Sequence, residues 1–210
     1  EGYRSGKNKL YYHGGCIYEG ETSNDWEQGQ GIMNCTNDAS EEWFTYDGNW
    51  EDAYENGLGT VNYKNGDKYT GLFEDTLLHG KGKYTWKNGE TYDGNFIYGK
   101  MTGVGIKIYE DGSVYKGKWL DGKRHGDGEM KFANGDTYKG KWEQDWENGF
   151  GKISYSSGEK YVGLFQNGRK LEGKTSMPKF TTSEKYFALI IGNNDYQNLE
   201  KLDAAENDAK

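Results

Sequence analysis

A fixed period of 23 residues organises most of this 210-residue sequence. Each copy begins with a tyrosine, which is followed by glycine two residues later and, in most copies, by tryptophan or phenylalanine four residues later. Self-similarity at a period between about 20 and 50 residues indicates a repeat architecture. The copies begin at Tyr46, Tyr69, Tyr92, Tyr115, Tyr138 and Tyr161, and Tyr18 begins an earlier copy that is five residues longer.

Each copy has the pattern of a β-hairpin with one aromatic face. Side chains two residues apart in a strand point to the same face, so Tyr115 and Trp119 share a face with Gly117 between them. Glycine at this position leaves room for the ring of a neighbouring strand to lie over bare backbone. We therefore expect a structural framework made of Tyr46, Gly48, Trp50, Tyr69, Gly71, Phe73, Tyr92, Gly94, Phe96, Tyr115, Gly117, Trp119, Tyr138, Gly140 and Trp142.

Turn signals predict that each hairpin leads directly into the next. Asn-Gly pairs at 65–66, 88–89 and 134–135 suit tight turns with positive φ. Because an isolated hairpin is only marginally stable, neighbouring hairpins have to stack to bury the aromatic face. The predicted fold is mostly β, an elongated single-layer antiparallel meander on the order of 70 Å long. The array is expected over residues 1–170, with a partial repeat at residues 1–15.

Composition excludes several classes of function. A net charge of −8 argues against a nucleic-acid-binding protein and, more weakly, against an anionic membrane surface as partner. No apolar run is long enough to span a bilayer. Aliphatic residues are few, but aromatic residues make up 16% of the sequence and glycines number 33. The core is therefore expected in rings that lie on glycine.

The cysteines and histidines do not indicate a chemical site. Cys16 and Cys35 belong to one copy, and we expect packed free thiols, with a diagonal disulfide as the alternative. So few cysteines favour a reduced intracellular compartment. His79 and His125 hold the same position two copies apart, roughly 20 Å, so they cannot share a metal ion and are expected in turns. No catalytic, cofactor-binding or metal-binding residue is expected.

Residues after the array follow a different pattern. A linker is expected at residues 171–184, and the run at 186–191 is continuously apolar, which is typical of a strand buried on both faces. Asp203 and Glu206 have the spacing of a helix capping box. Residues 185–210 therefore predict the beginning of an α/β domain.

Two resemblances to known families follow from these motifs. Tyr-x-Gly-x-Trp/Phe, a glycine-rich turn, Gly-x-Gly and then Asn-Gly make the array resemble MORN repeats, over residues about 2–170. Residues 187–196, Phe-Ala-Leu-Ile-Ile-Gly-Asn-Asn-Asp-Tyr, resemble the opening of caspase-like peptidase domains of the paracaspase and metacaspase type. In that family a catalytic His and Cys lie downstream of this strand, and no His or Cys follows it here.

The MORN resemblance implies a non-catalytic scaffold that binds other proteins, typically in cytoskeletal or membrane-junction assemblies such as axonemal radial spokes. The caspase-like resemblance implies an alternative, the targeting module of a cysteine peptidase. Phosphoinositide or membrane-surface binding is a further alternative, and a homodimer is left open. The implied location is intracellular, in the cytoplasm, on the cytoskeleton or in the cilium axoneme. We expect no enzyme activity from this chain.

Three aromatic residues at predicted hairpin tips are candidate partner contacts. Trp26, Tyr54 and Trp146 stand eight residues after their tyrosines, where the other copies carry Leu77, Lys100 and Lys123. Exposed Trp and Tyr are favoured at interface hot spots. The structural alternative is that the rings fold back over neighbouring turns. We expect two separate anchors, Trp26 with Tyr54 and then Trp146 about 40 Å away, and not a uniform ridge.

Lysines crowd the polar face of two late copies. They are Lys116, Lys118, Lys139 and Lys141, whereas Glu19, Glu21 and Asp47 hold corresponding positions in early copies. Such a face is usually only solvated. The functional alternative is a docking patch for an acidic partner.

Overall fold

The computed structural model describes residues 3–35 and 43–171, which form one antiparallel sheet of 15 strands. Every strand pairs with the next along the chain, so the predicted meander is confirmed. The predicted linker after Leu171 and the caspase-like segment at 185–210 lie outside the described residues. The strands are β1 (Gly6–Tyr11), β2 (Ile17–Ser23), β3 (Trp26–Asn34), β4 (Trp43–Glu51), β5 (Tyr54–Tyr63), β6 (Lys68–Glu74), β7 (Leu77–Thr85), β8 (Thr91–Ile97), β9 (Lys100–Ile108), β10 (Val114–Leu120), β11 (Lys123–Lys131), β12 (Thr137–Glu143), β13 (Trp146–Ser154), β14 (Lys160–Gln166) and β15 (Arg169–Lys170).

The repeat tyrosines lie flat on pairs of glycines. The ring of Tyr115 covers Gly117 of its own strand and Gly128 of the facing strand, where an added Cβ would lie 2.2 Å from the tyrosine hydroxyl. The hydroxyl donates a hydrogen bond to the carbonyl of Lys118 at 3.0 Å. The ring over Gly117 therefore comes from the same strand, and not from a neighbouring strand as predicted. The hydroxyl reaches a carbonyl three residues along its own strand, which directs the ring along that strand.

These rings continue from repeat to repeat as one series. Trp119 contacts Tyr92 of the preceding repeat and Tyr115 of its own, with ring centroids 5.3 and 5.1 Å apart and nearly perpendicular planes. The same edge-to-face contacts connect the repeat tyrosines with the tryptophan or phenylalanine four residues after each of them, from Tyr18 to Phe165. Edge-to-face packing is a favoured arrangement for aromatic pairs. We call the side of the sheet that carries these buried rings the core face and the opposite side the outer face.

The two long edges of the sheet have different turns. One edge, the tight-turn rim, carries seven two-residue turns, at 24–25, 52–53, 75–76, 98–99, 121–122, 144–145 and 167–168. Both residues of each turn have positive φ, for example 45° at Asp75 and 69° at Thr76, as a type I′ turn requires.

The Asn-Gly pairs lie at the opposite edge and form a different turn. Only the glycine has positive φ, 95° at Gly66, and the Gly66 N–H donates to the Tyr63 carbonyl. This is the three-residue loop in which a turn is followed by a left-handed glycine. The tight turns with two positive φ values are therefore not at the Asn-Gly pairs, because a three-residue loop needs only one such residue.

Cys16 and Cys35 form a disulfide, so the prediction of free thiols is wrong. Ile17 pairs with Asn34 at the open end of the hairpin made by β2 and β3. This register places residues 16 and 35 opposite each other, with a Cα separation of 4.2 Å. That separation is below the limit of about 7 Å for a bridge. The disulfide closes the open end of the hairpin formed by β2 and β3.

Candidate functional site

The three predicted tip aromatics are exposed at the tight-turn rim. Trp26, Tyr54 and Trp146 are the first residues of β3, β5 and β13, and their side chains are 59%, 55% and 57% exposed. They lie on the outer face, because the next residue of each strand is directed to the core face. Burial of that neighbour shows this most clearly at Glu27 and Glu55. These rings do not enter the core. The ring of Trp146 does lie against the neighbouring turn, as the structural alternative expected, because a Cβ added at Gly168 would be 3.1 Å from Trp146 Cε3.

The other repeats also carry exposed apolar residues at this rim, but two of them do so on the facing strand. Counted from the tyrosine of each repeat, the residue at position +8 pairs across the tight turn with the residue at position +5. Ile97 pairs with Lys100, and Leu120 pairs with Lys123. Where the first position holds lysine, the second therefore holds an aliphatic residue.

Together these residues form a continuous row along the tight-turn rim. Its members are between 44% and 59% exposed, and each of six successive hairpins contributes one. The structure thus differs from the expected pair of separate anchors. The prediction used only position +8 of each repeat. It therefore missed the apolar residue at position +5, which pairs with position +8 across the turn. We call Trp26, Tyr54, Leu77, Ile97, Leu120 and Trp146 the rim row.

Charged residues on the core side of this rim tie neighbouring repeats together. Arg124 is ion-paired with Asp145 of the next turn at 3.2 Å, and its guanidinium lies 4.3 Å from the Trp142 ring centroid. Asp145 also accepts a hydrogen bond from the Arg124 N–H. In the first full repeat the corresponding position holds Glu27, and burial raises the pKa of its carboxyl. These contacts hold the turns that present the rim row.

The predicted lysine patch lies on the outer face, and acidic residues of β11 alternate with it. Lys116 and Lys118 lie on β10, and Lys139 and Lys141 on β12. Between these strands, Asp127 is 2.7 Å from Lys141, and Glu129 is 3.9 Å from Lys139. The four lysines therefore lie near one another, but two of them have carboxylate partners.

The histidines lie in strands, and not in turns as predicted. His79 is the third residue of β7, with Nδ1 2.8 Å from the Glu74 carboxylate, and His125 is the third residue of β11. The tight turns take only two residues, so the strand resumes before the histidine. In residues 3–35 and 43–171, no group of three or more His, Cys, Asp or Glu residues is placed to hold a metal ion. This described part also contains no helix long and apolar enough to cross a membrane.

Comparisons with known proteins identify the repeat. The MORN repeat family model matches residues 18–39, 46–68, 69–91, 92–114, 115–137 and 138–160. A search of curated protein sequences found no match. Two solved structures with partial similarity are the TCP domain of Drosophila melanogaster SAS-4 in complex with a proline-rich motif of Ana2 (TM-score 0.46, 14% identity, 78% of this chain and 90% of that chain) and the TCP10 domain of Danio rerio CPAP (TM-score 0.42, 9% identity, 75% and 72%).

TM-scores below 0.5 make these structural similarities too weak to support a conclusion about function. The family match is different in kind, because its six segments span more than half of the chain and five of them begin at the repeat tyrosine in steps of 23 residues. The sixth segment begins at Tyr18. The chain therefore belongs to the MORN-repeat family.

Proposed function

We propose that this chain is a non-enzymatic scaffold that binds an extended partner protein along its tight-turn rim. The observation that carries the proposal is the rim row, an exposed apolar residue on each of six successive hairpins. MORN repeats form scaffolds for contact with proteins or membranes, and the family is non-enzymatic. The rim row supports a protein as the partner here.

The chemistry of the rim row fits a protein interface. Trp and Tyr provide large contact areas with few rotatable bonds, and they are enriched among the residues that contribute most to binding. Successive hairpins are about 10 Å apart at two strand spacings each. The row is therefore on the order of 50 Å long, which suits an extended partner better than a small ligand.

Charges beside the rim row change along its length. Glu51 and Glu74 pair with Tyr54 and Leu77 in the second and third repeats. Lysines take their place in the fourth and fifth repeats, where Lys100 and Lys123 pair with aliphatic residues. Such a pattern allows the partner to bind in only one direction, since the reversed direction places like charges together.

We further propose an intracellular location in a cytoskeletal or ciliary assembly of the radial-spoke type. This part of the proposal is supported only by what MORN-repeat proteins typically do. The apolar run at residues 186–191 supports a second candidate, a MORN module attached to a caspase-like peptidase. Activity of the longest available form of the protein on peptidase substrates would distinguish the two.

The experiment replaces the three rim aromatics together. Wild-type chain and a Trp26→Ser/Tyr54→Ser/Trp146→Ser variant are used as baits in a lysate of the native cells, and captured proteins are then titrated by calorimetry. We expect at least one protein to bind the variant at least about tenfold more weakly, which corresponds to about 1.4 kcal/mol. A matched control, Tyr11→Ser, removes an aromatic that is 72% exposed at the opposite edge of the sheet, where Tyr11 pairs with Ile17. Equal binding of every partner to wild type and triple variant would refute the proposal.

A further inference from the structure

Positive charge is concentrated on one part of the outer face, although the chain carries a net charge of −8. Away from the tight-turn rim, where Lys123 and Glu143 lie, the outer face of β10 to β13 presents two acidic residues, Asp127 and Glu129. Six lysines lie on the same surface: Lys116, Lys118, Lys131, Lys139, Lys141 and Lys152. Charge of opposite sign to the rest of the molecule creates a local attractive field for anionic groups. We call this area the lysine surface.

The charges of the lysine surface alternate across the strands. Glu129 pairs with Lys116 on one side and with Lys139 on the other. Asp127 pairs with Lys141 and forms the closer ion pair, at 2.7 Å. The row through Glu129 thus reads positive, negative, positive at strand spacings of about 4.8 Å.

Exposed aliphatic residues adjoin the lysine surface on β9. Val104 is 58% exposed and Ile106 39% exposed, and they pair with Lys118 and Lys116. Ile108, one position further along the same face, is 44% exposed. Aliphatic side chains directly beside lysines form a surface with both an apolar and a cationic component.

We propose that the lysine surface and the β9 aliphatic residues bind an acidic polypeptide segment that also carries aliphatic side chains. Carboxylates of the segment pair with Lys116, Lys118 and Lys152, and its aliphatic side chains cover Val104 and Ile106. This inference extends the scaffold function proposed above to a second surface, separate from the rim row. The partner class follows from charge complementarity, which sets association rate and specificity at protein interfaces.

The alternation of charge favours a polypeptide over a membrane or a nucleic acid. An anionic lipid surface or a phosphate backbone presents only negative charge, so it is repelled by Asp127 and Glu129 at the centre of the surface. A polypeptide can place neutral groups opposite those carboxylates and its own carboxylates opposite the lysines.

The test uses labelled synthetic peptides of about 12 residues, long enough in extended form to cross the lysine surface. The probe repeats Glu-Glu-Leu, and the comparison peptides repeat Glu-Glu-Ser or Lys-Lys-Leu. Binding to the full chain is measured by fluorescence anisotropy at low and high salt. Vesicles of phosphatidylcholine, with and without phosphatidylserine or phosphoinositide, are tested by sedimentation.

We expect the Glu-Glu-Leu peptide to bind, more weakly at high salt, and the Lys-Lys-Leu peptide not to bind. Lys116→Gln/Lys118→Gln should weaken binding at least about tenfold. Lys81→Gln/Lys83→Gln, which removes two exposed lysines of β7 on the same face, should leave binding within about twofold of wild type. Val104→Ser/Ile106→Ser should weaken binding of the Glu-Glu-Leu peptide and should not weaken binding of the Glu-Glu-Ser peptide.

Several results would overturn the inference. They are failure of the acidic peptide to bind, equal weakening by the β7 control, and binding of anionic vesicles without binding of the peptide. The triple rim variant should bind the peptide as wild type does. If the triple rim variant keeps its native partners and the peptide still binds, the rim proposal fails and the lysine-surface proposal stands. If the triple rim variant loses its native partners and the peptide does not bind the wild-type chain, the rim proposal stands and the lysine-surface proposal fails.

Discussion

Trp119 shows how one residue joins two repeats. Its ring contacts the tyrosines of two successive repeats, its Nε1 donates to the Gly105 carbonyl at 3.4 Å, and only 4% of the side chain is exposed. Trp26 has the same chemistry but is 59% exposed on the outer face. Position within the repeat therefore decides whether a tryptophan stabilises the array or is available to a partner.

Replacing these two kinds of aromatic residue should have different effects on stability. Trp119→Ser should lower the free energy of unfolding by roughly 3 kcal/mol or more, because it empties a buried aromatic site. Trp26→Ser/Tyr54→Ser should change it by less than about 1 kcal/mol, since exposed positions lose little packing. Urea denaturation followed by circular dichroism measures both. A larger loss in the rim variant than in Trp119→Ser would show that the two faces are assigned wrongly.

At the scale of the hairpin, the type I′ turns vary in how well their residues suit the backbone. Thr76 has a φ of 69°, in the left-handed region that is unfavourable for a β-branched residue. Gly99, Gly122 and Gly168 hold the same turn position in other repeats. The Thr76 N–H donates to the Glu55 carbonyl at 2.9 Å, a bond that glycine keeps.

We therefore expect Thr76→Gly to stabilise the protein by about 1 kcal/mol, because relief of the left-handed strain exceeds the added entropy of the unfolded chain. The measurement is the shift in the thermal unfolding midpoint. Thr70→Gly is the matched control, since Thr70 lies within β6 and its hydroxyl is 3.0 Å from that of Thr60. That change should destabilise the protein. Destabilisation by Thr76→Gly would contradict the turn assignment.

At the scale of the whole molecule, the repeat tyrosines form one line of buried rings whose ionisation opposes folding. Burial raises the pKa of Tyr18 and of Tyr92 to about 12, and it also raises the pKa values of Tyr46, Tyr69, Tyr115 and Tyr138. In unfolded chains the pKa of tyrosine is about 10. The folded state therefore holds these protons more tightly, and its stability is complete below about pH 10 and is lost as pH rises towards about 12.

The expected result is cooperative alkaline unfolding between about pH 10 and pH 12, because each buried tyrosine contributes about 1.4 kcal/mol of destabilisation per pH unit above its unfolded pKa. Circular dichroism of the sheet and the absorbance of ionised tyrosine should change together for the buried rings. Full tyrosine ionisation with an intact sheet signal would show that the rings are not buried as described.

The sequence by itself determined the repeat, the hairpins, the core face and the exposure of Trp26, Tyr54 and Trp146. Each of these depends on residues close together in one copy, where the alternation of a strand assigns the faces without knowledge of the rest of the chain. The tyrosine-glycine contact was also predictable in kind. The strand from which the ring comes was not predictable, because the direction of the ring depends on a hydrogen bond that only the folded strand supplies.

The tertiary structure alone decided which residues face each other across strands. Cys16 meets Cys35 because of the register of β2 and β3, and Ile97 and Leu120 complete the rim row from the strand opposite Lys100 and Lys123. The alternation of Lys116, Glu129 and Lys139 likewise appears only when β10, β11 and β12 are paired. Register is set by turn length and by the bulges in each hairpin, so a shift of one residue would move every side chain to the other face and remove these surfaces.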